Sequence, residues 1–470
     1  MPADVGFRQP HLARLKPLLQ PRLPTRPVEA VTPAPASPRP AKAVTPTPAP
    51  TRPAEAVTPT PLRGRRPNCT TRIIVVQRGL SPYNSPSFLF FQNDYSMNRL
   101  RIGIIGLKRG MTFGRQLFER DDAEFVAACD HNSAVRKQFS EAHSGIKLCE
   151  TYDELVGSDI DAVVIASYCP DHAPMAVQAL RAGKHVLSEV TAFHTLGQGV
   201  ELCRAVEDTG FTYMMAENTC YLPVIEEMKR VHHSGQTGQL IHAECEYVHD
   251  LRPEWKREED GNIHWRLWQP CIYYCTHSLG PIFQIAKDRP ASVTGIESGA
   301  FTAPDWPTPR ADVGVALIQM ASGATVKVLL SFGNTRGGCT HHYVVFGTKG
   351  HMESDRMNPA RLHVRLPEKD AEWQSSEPTH HRLAERAANS GHGGIDFYVL
   401  HDFIEAVKAG QPPPIDVYDA ADMTLPGILG HRSAVNGGQP YSIPNFRNEA
   451  ERKPHEDDQA SPRDNLPASV

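Results

Sequence analysis

Short apolar runs alternate with stretches of helical periodicity from residue 100 to residue 216. The apolar runs cover residues 100–106, 125–130, 162–166, 185–187 and 211–216. Their residues do not alternate between apolar and polar, which is typical of strands that are buried on both faces of a sheet. Strands joined by helices need right-handed crossovers. The alternation therefore predicts an α/β fold with a doubly wound parallel sheet.

The sequence after residue 223 has a different pattern. A helical stretch at 224–233 is followed by longer strands with looser alternation. These strands are at residues 241–248, 292–297, 313–320, 324–332 and 342–346. A final helix at 397–409 ends at a glycine followed by prolines, a common stop signal. We therefore expect a parallel-sheet domain at 98–222 and an α+β domain with a large, mostly antiparallel open sheet at 223–447.

Both ends of the chain are predicted to be disordered. Residues 1–97 hold 19 of the 41 prolines and repeat an Arg-Pro…Ala-Val-Thr-Pro motif with a period of 13. Such a segment favours extended polyproline conformations and builds no core. Three interpretations stand: a docking arm, a tail without a role, or an artefact of start-site assignment, since Met97 directly precedes the first strand. The polar sequence at 448–470 predicts a second disordered tail.

Charge and cysteine usage exclude several classes of function. The net charge is −4, but residues 1–97 carry 13 Lys and Arg against 4 Asp and Glu, so the remainder has a net charge of −13. An acidic body argues against nucleic acid as a partner. The ten cysteines form no C-x-x-C pair and no zinc-type array, so we expect reduced thiols and no metal site. No apolar run approaches the length of a membrane span, and we expect a cytoplasmic protein.

A glycine turn after the first apolar run predicts a dinucleotide site. Glycines between a strand and a helix let the backbone approach a pyrophosphate at the helix N-terminus. An acid at the end of the second run is placed to reach the adenosine ribose and would repel a 2′-phosphate, which favours NAD over NADP. The residues predicted to form this site are Gly103, Gly106, Leu107, Lys108, Arg109 and Asp130.

Five segments resemble those of the Gfo/Idh/MocA oxidoreductases, in the same order along the chain. They lie at residues 102–106, 129–132, 161–165, 182–186 and 217–218, and the resemblance covers about residues 99–447. It implies a Rossmann domain joined to an open-sheet domain, with an active site between them that oxidises or reduces a sugar carbon. Members of the family commonly have Glu-Lys-Pro where this chain has Glu189-Val190-Thr191. Valine cannot move a proton.

One branch of that scaffold, the NAD-dependent α-N-acetylgalactosaminidases, has Glu-Val-Pro at the same place. Further segments similar to this branch lie at residues 217–221, 246–251, 274–281 and 392–397. The resemblance implies transient oxidation of a sugar C3 hydroxyl, elimination of the C1 substituent, addition of water and return of the hydride. It places Glu189, Val190 and Asn218 at the nicotinamide, and Cys169 and His172 on a turn that covers the cofactor. It places Tyr221, Tyr247, Tyr274 and His277 around the sugar, with Cys339 where the branch has a tyrosine.

The spacing of several residues supports the same chemistry. Tyr274 and His277 are at i and i+3, so a helix or turn presents them on one face, and an imidazole accepts a hydroxyl proton readily near neutral pH. Tyr247 and His249 share one face of a strand. We predict His277, Tyr274 and Tyr221 as catalytic residues and Tyr247, His249 and His392 as substrate-binding residues. The structural alternatives are helix capping by His277 and His392 and core packing by the tyrosines.

Three functions are consistent with this sequence. The first is an NAD-dependent oxidoreductase that transfers a hydride between a sugar carbon and nicotinamide. The second is an NAD-dependent glycosidase that acts through transient oxidation, and the third is a cofactor-binding sensor without catalysis. Because long open sheets are seldom left bare, we also expect a homo-oligomer formed through the C-terminal sheet.

Overall fold

The computed structural model describes residues 99–254, 264–303, 311–380, 382–388 and 390–465. The predicted extension at 1–97 lies outside these residues. Among the described helices, none is both long enough and apolar enough to cross a membrane.

The first half of the described chain alternates strand and helix. Its strands are β1 (Leu100–Ile105), β2 (Ala123–Cys129), β3 (Lys147–Cys149), β4 (Ala162–Ile165), β5 (His185–Ser188) and β6 (Tyr213–Met215). Its helices are α1 (Leu107–Leu117), α2 (Ser133–Ala142), α3 (Tyr152–Val156), α4 (His172–Arg181) and α5 (Leu196–Thr209). The strands form one parallel sheet in the order β3-β2-β1-β4-β5-β6, which confirms the Rossmann prediction.

Local sequence accounts for these elements. The apolar residues of β1 and β4 are almost fully buried between the helices on either side of the sheet. Asn132 caps α2 by accepting two backbone N–H bonds, and Thr195 forms a capping box at the start of α5, so each helix begins where its free N–H groups find an acceptor. The prediction missed β3, because it has three residues and begins with an exposed lysine.

The second half is built on a nine-stranded sheet. Its strands are β7 (Leu240–His249), β8 (Pro290–Glu297), β9 (Val313–Met320), β10 (Thr325–Ser331), β11 (Cys339–Gly347), β12 (His351–Ser354), β13 (Leu362–Leu366), β14 (Asp370–Ser376) and β15 (Tyr441–Ser442). Its helices are α6 (Pro223–His233), α7 (Thr276–Ala286), α8 (Ala384–Ala387), α9 (Ile395–Ala409), α10 (Val417–Val435) and α11 (Glu449–Arg452). The order is β14-β13-β12-β11-β7-β10-β9-β8-β15. β7 and β10 are parallel and the other described pairs antiparallel, which confirms the mostly antiparallel sheet.

One face of this sheet is covered by α7 and α10. Helix α10 approaches β8 so closely that a Cβ on Gly295 would lie 2.0 Å from the carbonyl oxygen of Gly430. The sequence did not reveal this 19-residue helix, because it contains Pro426 and two glycines. Those small residues allow the close packing that stabilises the helix, although they lower its intrinsic propensity.

The expectation that residues 448–470 are a disordered tail is wrong for residues 448–465. This segment returns to the first domain, where the buried Arg452 pairs with Glu207 of α5 and Thr195 donates a hydrogen bond to Gln459. Arg432 of α10 binds Asp458 through two hydrogen bonds of 2.6 and 2.7 Å. A polar segment therefore becomes ordered through ion pairs rather than through an apolar face, which composition alone cannot reveal.

Candidate functional site

The glycine turn after β1 has the geometry of a dinucleotide cradle. Gly106 adopts φ 85°, and a Cβ there would lie 2.2 Å from the carbonyl oxygen of Ala166. A Cβ on Gly110 would lie 2.5 Å from Ile104, so this glycine lets α1 pack against β1. Only glycine fits both positions, and the turn places the N-terminus of α1 directly after the carboxyl end of β1, where a pyrophosphate binds in such folds. NAD fits these residues. The predicted Gly103 instead faces Leu155 and Ile160, where it serves packing.

Asp130 lies at the carboxyl end of β2, as predicted, and also holds the glycine turn. Its Oδ2 accepts a 2.8 Å hydrogen bond from the backbone N–H of Leu107, and its Oδ1 accepts one of 2.9 Å from Asn132. The carboxylate is almost fully buried. Each oxygen retains a second lone pair, so the group can still accept from a ribose hydroxyl. Lys108, the next residue of α1, is exposed.

Cys169 and His172 support the loop that follows β5. The Sγ atom of Cys169 lies 3.1 Å from Oγ1 of Thr191, and Nδ1 of His172 lies 3.0 Å from the carbonyl oxygen of Thr191. Both side chains are buried. They therefore hold Thr191, and with it the loop that carries Glu189 and Val190. The peptide bond between Val190 and Thr191 is cis.

Arg109 is the centre of an ionic group that we call the arginine cluster, made of Arg109, Glu189, Asn218, His392 and Asp396. Its Nε donates a 2.7 Å hydrogen bond to Glu189, and its two terminal nitrogens donate to Asp396 at 2.8 and 3.2 Å. Asn218 donates to the same aspartate at 2.9 Å, and Nδ1 of His392 lies 2.8 Å from it. The cluster joins α1, β5, the turn after β6 and α9. It therefore links the carboxyl edge of the parallel sheet to α9.

A buried carboxylate–imidazole pair lies beside that cluster. Oε1 of Glu217 is 2.6 Å from Nδ1 of His277, and the hydroxyl of Thr219 donates to the same oxygen at 2.6 Å. Glu217 is fully buried and the His277 side chain is 12% exposed. Burial alone would raise the pKa of Glu217, but His277 and the hydrogen bonds from threonine lower it below its usual value. The pair therefore has an ionised carboxylate that accepts from Nδ1–H, which leaves Nε2 of His277 free to accept a proton.

Aromatic rings surround His277, and we call Tyr247, Tyr274, His277, Phe332 and His341 the aromatic cluster. The His277 ring centroid lies 5.0 Å from that of Tyr247 and 5.1 Å from that of Tyr274. His341 lies 5.1 Å from Tyr247 on the other side. Burial raises the pKa of Tyr274 and lowers that of His341 to about 3, so at neutral pH both are uncharged. The structure thus brings three predicted residues, His277, Tyr274 and Tyr247, to one place.

Two further side chains border the aromatic cluster. The guanidinium of Arg266 lies 4.5 Å from the ring centroid of Trp265 and 5.5 Å from that of Tyr274, and it forms an ion pair of 2.9 Å with Glu254. The hydroxyl of Tyr247 lies 2.9 Å from Nδ1 of His249, so the predicted pair Tyr247 and His249 is held together. A ring-lined site with a few fixed polar groups is typical of small-molecule sites.

Tyr221 and His392 lie elsewhere. The turn Asn218–Tyr221 directs the Tyr221 ring onto Tyr398 of α9, with centroids 6.5 Å apart, and the ring is buried there. The Tyr221 ring therefore packs against α9, which does not match the prediction that Tyr221 acts with His277. His392 is 57% exposed and belongs to the arginine cluster rather than to the aromatic cluster.

The sequence did not point to four residues of this site: Glu217, Arg266, His341 and Asp396. For Glu217 a signal existed: an acid directly after β6 lies at the carboxyl edge of the sheet, where ligands bind. Its partner His277 is 60 residues away, so spacing could not pair the two. Cys339, which stands where the branch has a tyrosine, is exposed with Sγ 3.4 Å from Nε2 of His341.

Comparison with family models covers most of the described chain. Residues 100–217 match the model described as oxidoreductase family, NAD-binding Rossmann fold, and residues 225–353 match the GFO/IDH/MocA C-terminal domain. Residues 308–451 match the glycosyl hydrolase 109 C-terminal domain.

Similar proteins include named glycosyl hydrolases and a dehydrogenase of known structure. A glycosyl hydrolase family 109 protein of Stenotrophomonas maltophilia is 28% identical over 416 residues, which is 76% of this chain and 91% of that protein. A family 109 protein of Shewanella sp. strain ANA-3 is 28% identical over 74% of this chain and 85% of its own. The structure of levoglucosan dehydrogenase in complex with NADH and L-sorbose superposes with a TM-score of 0.65 at 19% identity, over 74% of this chain and all of that one.

The sequence models and the shared fold agree on one assignment. The Rossmann domain is an NAD-binding oxidoreductase domain, and the strand order and glycine turn described above fit it. Residues 100–217 and 225–353 are therefore Gfo/Idh/MocA oxidoreductase domains, and residues 308–451 are a C-terminal domain of the glycosyl hydrolase 109 type.

Proposed function

We propose that this enzyme transfers a hydride between a sugar carbon and the nicotinamide of NAD, with His277 as the base that takes the hydroxyl proton. The observation that carries the proposal is the buried Glu217–His277 pair, 2.6 Å apart, directly after the carboxyl end of β6. In a Rossmann sheet of this strand order the nicotinamide half of the cofactor lies over β4, β5 and β6. The proton acceptor and the hydride acceptor therefore meet at one edge of the sheet.

NAD, when bound, is the hydride acceptor, and residues of the chain bind its parts. The Gly106 turn and the N-terminus of α1 hold the pyrophosphate, while Asp130 accepts from the adenosine ribose. Glu189, Val190 and Asn218 follow β5 and β6 and line the nicotinamide side.

His277 takes the role that a lysine has in many members of the family. Val190 cannot accept a proton, whereas Nε2 of His277 is free because Nδ1–H donates to Glu217. When the carbon that bears a sugar hydroxyl gives up its hydride, the proton of that hydroxyl passes to Nε2, and the imidazolium that forms is stabilised by the Glu217 carboxylate. Glu217 is thus the positioning residue of this step.

The aromatic cluster supplies the sugar site. Tyr247 and Tyr274 offer ring faces beside His277, and the Arg266 guanidinium stacks on Tyr274 within reach of oxygen atoms on a ligand. The uncharged state of Tyr274 keeps its hydroxyl able to donate, because burial raises its pKa. Rings combined with a few polar groups bind a molecule that has both C–H faces and hydroxyls.

A second candidate function is redox-neutral cleavage of a glycoside. The specific observation in its favour is the glycosyl hydrolase 109 C-terminal domain at residues 308–451, together with curated relatives named for that family. The same His277 would begin the reaction by accepting the proton of the hydroxyl that is transiently oxidised. This function differs from the first because NAD would undergo no net reduction.

One experiment tests these proposals against each other and against a non-catalytic sensor. The purified chain is mixed with NAD and a set of free sugars and aryl glycosides, and nicotinamide absorbance and aglycone release are followed together. Accumulation of NADH supports the dehydrogenase, and cleavage without net NADH supports the glycosidase. His277→Ala should abolish either turnover while NAD still binds. A sensor would respond to its ligand equally well with and without His277.

Three further assignments accompany this proposal. Ile296, Leu317, Phe346 and Trp373 are between 38% and 66% exposed on the large sheet, which supports a homo-oligomer formed through its uncovered face. We also propose a domain boundary near residue 222 and a sugar as the substrate. Cys129, Cys149, Cys169 and Cys203 are buried thiols without a disulfide bond, which supports a reducing compartment such as the cytoplasm.

A further inference from the structure

The arginine cluster contains more negative than positive charge. Two carboxylates, Glu189 and Asp396, share the single guanidinium of Arg109. Asp396 receives two hydrogen bonds from Arg109 and one from Asn218 and is fully buried. Glu189 receives one hydrogen bond from Arg109, and its other oxygen accepts only a 3.3 Å bond from the backbone N–H of Val190. With His392 neutral the cluster has a net charge of −1, and Glu189 is its less neutralised member.

Burial and pairing keep these groups ionised. Burial would lower the pKa of Arg109, but Glu189 and Asp396 together raise it well above its ordinary value. Burial would raise the pKa of Asp396, yet the hydrogen bonds from His392 and Arg109 hold it far below its usual range. The guanidinium of Arg109 and the carboxylate of Asp396 therefore both stay charged near neutral pH. The neighbouring Glu217 adds another carboxylate, whose partner is the imidazole of His277.

The position of the cluster relates this charge to the cofactor. Glu189 directly follows the carboxyl end of β5, Asn218 follows β6, and Arg109 is in the first turn of α1. These elements frame the β4–β5–β6 half of the sheet, over which the nicotinamide half of a dinucleotide lies. The nicotinamide ring has a positive charge when it is oxidised and none when it is reduced.

We propose that the arginine cluster holds bound NAD in its oxidised form, because the unbalanced charge at Glu189 favours the cationic ring over the neutral one. This inference rests on the proposed hydride transfer and adds a direction to it. The chain should bind NAD⁺ more tightly than NADH. Tighter binding of NAD⁺ favours return of the hydride to the oxidised sugar, as a reaction cycle that retains its cofactor requires.

The test measures the ratio of the two dissociation constants in the full chain. NADH is titrated by its fluorescence and NAD⁺ by competition, at about pH 8 where imidazole is normally neutral and at low salt. The wild type should bind NAD⁺ more tightly. Glu189→Gln should shift the ratio toward NADH by about tenfold, equivalent to about 1.4 kcal/mol. Arg109→Gln removes the only cation and should shift the ratio in the opposite direction.

A matched control is Glu201→Gln, which removes an exposed carboxylate paired with Arg181 on the surface and should leave the ratio unchanged. The inference is overturned if the wild type binds NADH more tightly, or if Glu189→Gln and Glu201→Gln have equal ratios. A third result distinguishes the two proposals: if neither form of the cofactor binds, the proposed function itself fails. A fluorescence melting curve for each variant shows whether the protein titrated is folded.

Discussion

Replacing Glu217 with glutamine isolates the contribution of one buried charge to the proton transfer. Glutamine has nearly the same shape, so its oxygen can still accept from Nδ1–H of His277 and from Thr219. What is lost is the negative charge that faces the imidazolium as it forms. The variant should therefore keep the geometry of the site and lose part of the stabilisation of the transition state.

The structure sets the size of this loss. A hydrogen bond to a charged group contributes about 1.5–3 kcal/mol and a neutral one about 0.5–1.5 kcal/mol. Because Glu217 is fully buried and 2.6 Å from its partner, the difference should lie near the upper end, at about 2 kcal/mol. That corresponds to a fall in kcat of roughly 30-fold. KM and the affinity for NAD should stay within about threefold, because the Glu217 side chain is fully buried behind His277 and has no surface for a ligand to touch.

The assay is steady-state turnover of whichever sugar or glycoside proves to be a substrate, with cofactor affinity measured in parallel. Glu226→Gln is a matched control, because Glu226 also pairs with a histidine, His380, at 3.0 Å but on α6 outside the site. It should leave kcat unchanged. The reasoning is refuted if Glu217→Gln turns over within threefold of the wild type, or if both glutamine variants lose activity equally.

Three further outcomes follow from the described contacts. Gly106→Ala should weaken NAD binding at least tenfold in calorimetric titration while the far-ultraviolet spectrum stays native, because φ is 85° and the new Cβ would meet a carbonyl oxygen. Burial raises the pKa of Asp422 to about 6, so the folded state binds a proton that the unfolded state releases near pH 4. The free energy of unfolding of the wild type, relative to that of Asp422→Asn, should therefore fall by about 1 kcal/mol between pH 5 and pH 7.5. Denaturant titrations at the two pH values measure it. Arg452→Ala leaves Glu207 without its buried cation and should lower the unfolding free energy by about 3 kcal/mol in urea, whereas Arg463→Ala at an exposed position should have little effect.

The parallel sheet could be predicted because each of its main strands is a buried apolar run that ends at a turn. The strands β12, β13 and β14 could not, since they lie toward one edge of the sheet and most of their residues are polar. Pattern also failed at α10, where tertiary packing against β8 outweighs low helix propensity. Apolar runs and alternation thus identify strands with at least one buried face, and they miss elements whose stability comes from a specific neighbour.

The candidate site divides in the same way. The i and i+3 spacing placed Tyr274 and His277 together, because a single turn fixes their relation. Glu217, the partner of His277, is 60 residues away from it along the chain. Asp396, the partner of Arg109, is 287 residues away. Tyr221 was expected beside the sugar, but the turn that contains it rotates the ring toward α9. Local spacing therefore predicts which residues share a face, and only the fold shows which faces meet.

The most direct test of the central claim is turnover by the chain before and after its cofactor is removed. Protein stripped of dinucleotide is mixed with a sugar or glycoside that the untreated enzyme converts, and product is measured with and without added NAD. We expect turnover to disappear with the cofactor, to return when NAD is added, and to be absent in His277→Ala under both conditions. Turnover that continues without NAD, or that survives in His277→Ala, would contradict hydride transfer at this site.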